Sequence, residues 1–238
     1  KEVFWLVMEY LDGNSLDVIM QDSEFFFNEN NVVRLAQQVL SALDTLHQSN
    51  VIHRDIKPSN IVKIKDTDQY KVVDVGSAAV VDVRDEEVSH SLKSQRTSLN
   101  MAGTHAYIPP EGYRERHKVG PASDVWALSA TLYYLLSGEL PFQAQTEAGW
   151  ILAVAGNMEE QAPKLIDLCP TISPRLSEII ARGLQKKLED RYADAMEMKR
   201  DLDSLHAQEL EAIGAQVSEE RRYWVKKGLV PLPPAVNS

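Results

Sequence analysis

Four residues in the first third of the chain have the types and spacing to move a phosphoryl group. In VIHRDIKPSNIVKI (51–64), Asp55, Lys57 and Asn60 stand between two apolar, β-like runs, and Asp74 follows in VVDVG (72–76). If the four converge, an aspartate beside a hydroxyl can orient it and accept its proton. A lysine two positions on can stabilise negative charge on a group in transfer. An asparagine and a second aspartate offer hard oxygen ligands of the kind magnesium takes alongside phosphate and water. Gly76 gives the backbone freedom to place Asp74. That inventory suits phosphoryl transfer, where positioning and charge neutralisation carry most of the catalysis.

The elements that must hold these groups can be read in outline. VFWLVMEYL (3–11) is a β-branched and aromatic run closed by Asp12-Gly13, which reads as a strand entering a turn. Gly13-Asn14-Ser15 precedes a short helical pattern with Leu16 and Ile19 at i and i+3. A stronger helix is expected over 30–49, capped by Asn30 or Asn31, with Val32, Ala36, Val39, Leu43 and Leu46 at helical spacing. IVKI and YKVVDV read as strands joined by a hairpin at Asp66-Thr67-Asp68. Residues 81–102 are polar and unpatterned, a loop whose length points to a functional role.

From Asp124, VWALSATLYYLL is apolar nearly all round, which marks a buried central helix ended by Gly138 and Pro141. Ser173-Pro174 starts another helix. After Arg191, Met198, Leu202 and Leu205 share one helical face. The tail LVPLPPAVNS is too rich in proline to continue a helix. The division expected is a domain over 1–205 and a C-terminal helical extension with a proline-containing tail over 206–238. The fold class is α+β, mainly helical with a small β element.

Composition narrows the partners. A formal charge of −10 leaves no basic surplus to neutralise phosphates, which argues against a general nucleic-acid binder. The single cysteine, Cys169, forms no internal disulfide, which favours a reducing, intracellular and cytoplasmic setting, although composition does not separate cytoplasm from nucleus. No run of ~18 apolar residues or signal peptide is evident, so no membrane partner is expected.

HRDIKPSN (53–60) resembles the catalytic loop of eukaryotic-type serine/threonine protein kinases, and DVG (74–76) resembles their metal-binding triplet with valine in place of phenylalanine. Six specified positions at roughly 5% usage each would arise by chance in about 1 in 10⁸ windows. Supporting motifs come in family order: Met8-Glu9-Tyr10-Leu11 resembles the hinge, GTHAYIPPE (103–111) the end of the activation segment, Ser123-Asp124-Val125-Trp126 the start of the central helix, and Arg191 the late arginine that pairs with Glu111. The resemblance covers about 1–205.

It implies the following roles. Asp55 is the catalytic base, Lys57 contacts the transferred phosphate, and Asn60 and Asp74 hold Mg2+. Main-chain groups of Glu9 and Leu11 bind the adenine of ATP, Met8 gates the back of that pocket, Val62 packs beneath the ring and Ser15 falls near the ribose. Arg54 pairs with an activation-loop phosphate, for which Thr97 and Ser98 are the candidates, with Lys93 and Arg96 nearby and an upstream activating kinase as a partner. The substrate is a protein serine or threonine hydroxyl. Ser15 stands where some family members place an acid to read basic substrates, so the resemblance gives no basic preference. A small-molecule phosphotransferase of related fold shares the aspartate-and-asparagine loop, but Lys57-Pro58, the segment ending at Glu111 and Trp126 disfavour it.

Several of these residues are expected to be architectural. His53 reads as a buried structural histidine. Asp124 reads as an acceptor for backbone N–H groups near the catalytic loop, and Glu111 with Arg191 as a buried structural pair. Asp85-Glu86-Glu87 reads as a solvated acidic face. The family's glycine-rich loop, phosphate-binding strand lysine and helix glutamate precede the hinge, and the sequence in hand begins at Lys1 inside the strand that leads to it. It is therefore expected to represent the large lobe without the small one, and to bind ATP weakly by itself. A catalytically inactive scaffold or regulator of pseudokinase type is the alternative.

Overall fold

The computed structural model describes residues 8–21, 27–75, 78–80 and 105–205. Expectations for the activation-loop hydroxyls Thr97 and Ser98, for Gly76, for the acidic run at 85–87 and for 206–238 fall outside these residues.

Residues 3–7 of the apolar run expected as a strand fall outside the described residues, and the first described strand follows that run. Residues 8–12 are irregular, and β1 is Gly13–Ser15, where the sequence pointed to a turn. Glycine is what permits this: a Cβ at Gly13 would stand 2.2 Å from the Lys63 carbonyl oxygen, so the main chains approach closely. β3 (Ile61–Ile64) is the centre of a three-stranded antiparallel sheet between β1 and β4 (Tyr70–Val72). A second ribbon pairs β2 (Val51–Ile52) with β5 (Ala79–Val80). The hairpin falls where Asp66-Thr67-Asp68 announced it, with Asp66 at φ 55°. Only the first half of YKVVDV continues as strand, because the chain breaks away to present Asp74.

α1 (Leu16–Ile19) follows β1 directly. α2 (Glu29–Gln48) begins one residue before the first of the two asparagines expected to cap it. Asn28 is the cap instead, its side chain accepting the Asn31 N–H at 3.0 Å. Twenty residues free of glycine and proline then put Val32, Leu35, Ala36, Val39, Leu40 and Leu43 on one buried stripe. The β3–β4 hairpin docks on this helix: Gln38 donates to the Asp68 carbonyl at 2.8 Å and accepts the Tyr70 N–H at 2.9 Å, and Arg34 pairs with the Asp68 carboxylate.

α3 (Pro110–Arg114) leads into α4 (Pro121–Ser137), which is buried from Ser123 to Tyr133 and ends at Gly138 in the left-handed region (φ 72°). α4 is the axis of the molecule. α2 packs on one side, and α7 (Pro174–Gly183) packs on another so closely that a Cβ at Gly183 would lie 1.9 Å from Ser129 Oγ. α5 (Glu147–Trp150) runs into a π turn, Ile151–Gly156, and α6 (Leu165–Leu168) precedes α7. Ser173 caps α7 as its Ser-Pro signal implied, accepting the Leu176 N–H, and also donates to Glu29 in the first turn of α2. In the last helix, α8 (195–205), Met198, Leu202 and Leu205 are all buried, which bears out the single apolar face. No helix among the described residues is long and apolar enough to cross a membrane.

Candidate active site

The loop from His53 to Asn60 is held from behind by one carboxylate. Asp124, in the first turn of α4 and fully buried, accepts the backbone N–H of His53 at 2.9 Å and of Arg54 at 2.8 Å. Its Oδ2 also meets His47 Nε2 at 2.8 Å. Three donors offset the burial of this charge. The loop can then adopt a conformation few residues favour, with Arg54 at φ 68°.

His53 is fully buried and structural, as expected. Its Nδ1 accepts the Asp55 N–H at 3.3 Å, so the proton sits on Nε2, which donates to the Val73 carbonyl at 3.3 Å. One ring thus spans Asp55 and the residue before Asp74. A second tie runs parallel, the Val73 N–H donating to the Asn60 carbonyl at 2.9 Å. Asp74 follows immediately in the left-handed region (φ 63°) and is exposed.

Asp55, Lys57 and Asn60 meet. Lys57 Nζ donates to Asp55 Oδ2 at 2.8 Å, and Asn60 Nδ2 donates to Asp55 Oδ2 at 3.0 Å and to its carbonyl at 2.7 Å. The turn Pro58–Asn60 fixes this geometry, since proline presets its first position. With both amide bonds of Asn60 directed at Asp55, its Oδ1 is the atom left to face a cation. Among the described residues no cluster of three or more His, Cys, Asp or Glu could hold a metal alone. Two oxygen ligands at Asn60 and Asp74 fit magnesium, which is completed by phosphate and water.

The residues assigned to the nucleotide gather on the sheet. Ser15 in β1 faces Val62 in β3, and Val62 faces Lys71 in β4. Lys71 in turn holds the Glu9 carboxylate at 2.7 and 2.9 Å. Leu11 is half-buried, and the Asp12 carbonyl next to it accepts the Lys65 N–H at 2.9 Å. Met8 is 75% exposed.

Two residues in this arrangement were not foreseen. His47 carried a signal, standing four residues after Leu43 on the buried stripe of α2. Lys71 had one only in its alternation with Tyr70 and Val72. Arg54 lines an open pocket with Tyr107, Ile108, Pro109 and Val119, where its Nε is buried without a partner. Burial lowers its pKa from the ordinary value, and the Asp124 charge opposes that shift.

The segment beyond is braced separately. Arg191 grips Glu111 in a fork at 2.9 and 3.2 Å, as expected, and Ser123 donates to Glu111 Oε1 at 2.7 Å. The family profile described as protein kinase domain matches residues 1–202. The chain belongs to the protein kinase family. Among curated relatives it is similar to serine/threonine-protein kinase pkn3 of Myxococcus xanthus, 34% identical over 84% of this chain and 36% of that one. It is likewise similar to PknL of Mycobacterium tuberculosis, 30% identical over 87% of this chain and 48% of that one. The chain therefore spans between about a third and a half of these relatives' lengths. Among solved structures, titin kinase with its flanking domains superposes with a TM-score of 0.65 at 27% identity, over 81% of this chain and 32% of that one. The helical α+β kinase fold is thus shared, and kinases of this family use ATP and Mg2+.

Proposed function

We propose that this chain supplies the acceptor-side catalytic machinery of a serine/threonine protein kinase that transfers the γ-phosphoryl group of ATP to a protein hydroxyl. The observation that supports it above the others is the hydrogen-bonded cluster of Asp55, Lys57 and Asn60, clamped through the loop backbone to Asp124. In this reading Asp55 orients the substrate hydroxyl and accepts its proton as the oxygen bonds to phosphorus and the bond to the ADP oxygen breaks. Lys57, beside Asp55, balances negative charge on the group in transit. Asn60 and Asp74 would hold magnesium, whose charge offsets that of the phosphates. Ser15 and Val62, with the main chain of Glu9 and Leu11 and with Met8 behind them, would receive the nucleoside.

The test is phosphate transfer from labelled ATP to a degenerate serine/threonine peptide mixture by the full-length protein. Asp55→Asn keeps the shape of the side chain and removes the base. The rate should fall on the order of 10²- to 10⁴-fold with thermal stability unchanged. Undiminished transfer by that variant would reject the role given to Asp55.

A further inference from the structure

Arg54 carries a charge that the reading above does not use. Its main-chain N–H donates to Asp124 at 2.8 Å, but its guanidinium is left over. Nε is buried without a hydrogen-bond partner, and no described carboxylate lies within ion-pair distance. A shielded donor of that kind is costly, and native chains seldom keep one idle. The open pocket that Arg54 lines has a volume of about 210 Å³. Tyr107, Ile108, Pro109 and Val119 give it apolar walls. Gly112 keeps one side clear, since a Cβ there would stand 2.8 Å from Ile108 Cγ2. Arg116, which is exposed, is a second cation in the lining, and no described residue of that lining is acidic.

We propose that this pocket binds a small aromatic carboxylate. The anion answers the guanidinium, which can take both carboxylate oxygens in a fork, and Arg116 adds a second attraction. The apolar walls call for an apolar body, and a ring can lie offset against Tyr107. Size sets the limit. A cavity of roughly 150 Å³ takes up benzene, so this one has room for a single ring with its acid group. A phosphate, the partner that the kinase resemblance gives Arg54, would meet the guanidinium but leave those walls bare. The site adjoins Asp55 in the chain, yet it is independent of the phosphoryl-transfer reading because binding alone defines it.

The experiment is isothermal titration of the full-length protein with 3-phenylpropionate, its neutral amide and inorganic phosphate. The carboxylate should bind saturably, and the amide about 10- to 100-fold more weakly, the span expected for losing hydrogen bonds to a charged group. Arg54→Gln keeps the N–H that Asp124 holds, and should weaken the carboxylate by a similar factor while leaving the amide unmoved. Val119→Trp fills the pocket without touching the charge, and should weaken both. The proposal is overturned by a carboxylate that does not bind saturably, by equal binding of carboxylate and amide, or by affinity that survives either variant. Phosphate that binds as tightly as 3-phenylpropionate also overturns it, and returns Arg54 to the activation-loop phosphate. If Arg54→Gln fails to fold, the amide and Val119→Trp decide the matter. A protein that transfers no phosphate can still be titrated, so failure of the kinase reading is told apart from failure of this one.

Discussion

The two sides of the candidate site are built to different standards of burial. Behind the catalytic loop lies a polar framework sealed from water: Asp124 with three donors, His53 between Asp55 and Val73, and Glu111 with Arg191 and Ser123. On the side proposed to receive the nucleotide the corresponding contacts are open. Glu9 and Lys71 form a surface pair, and Met8 and Tyr10 are 75% and 87% exposed. The acceptor side is thus organised by groups whose loss leaves a buried charge or N–H unsatisfied, whereas the nucleotide side depends on backbone register and exposed contacts. The same interaction type carries very different weight in the two places.

Removing the hub should expose that contrast most sharply. Asp124→Ala strands the N–H groups of His53 and Arg54 together with His47, and should cost about 3–5 kcal/mol in urea unfolding, with activity lost alongside. If the variant is as stable as the parent, the framework is not what holds the loop. A smaller effect is expected where α4 meets α7. Gly183→Ala drives a methyl into Ser129 and should cost about 1–3 kcal/mol. Pairing it with Ser129→Gly should recover part of that, and strict additivity would argue against the contact.

On the open side, Lys71→Met should change stability by no more than about 1 kcal/mol, with a few-fold rise in KM for ATP. A large destabilisation there would erase the distinction. At neutral pH the last test has no effect. Burial raises the phenols of Tyr107, Tyr113 and Tyr192 above the ordinary tyrosine value. Above pH ~10 the unfolded chain loses phenolic protons that the folded one keeps, so the melting temperature should fall as pH rises, with tyrosinate absorbance appearing on unfolding.

The candidate cluster was readable where contiguous residues carry it. Asp55, Lys57 and Asn60 lie on one turn, so spacing alone brought them together, and α4 declared its burial by an unbroken apolar run. What stayed hidden depends on pairing across the chain. His47 and Asp124 are far apart in sequence and meet only because α2 and α4 cross. Lys71 reaches Glu9 only through the register of β4 on β3. Residues 13–15 were misread because glycine and asparagine signal a turn unless a neighbouring backbone comes close enough to pair. The cap of α2 moved to Asn28 because three asparagines in four residues offer equivalent side chains, and local pattern does not choose among them.

Asp124 grips the catalytic loop through main-chain N–H groups, and that choice has a consequence for substitution. Every residue except proline carries such a group, so the clamp does not itself read the side chain at 54, where only the left-handed backbone (φ 68°) narrows the choice. The side chain at 54 can therefore change while Asp55 keeps its place in the cluster with Lys57 and Asn60.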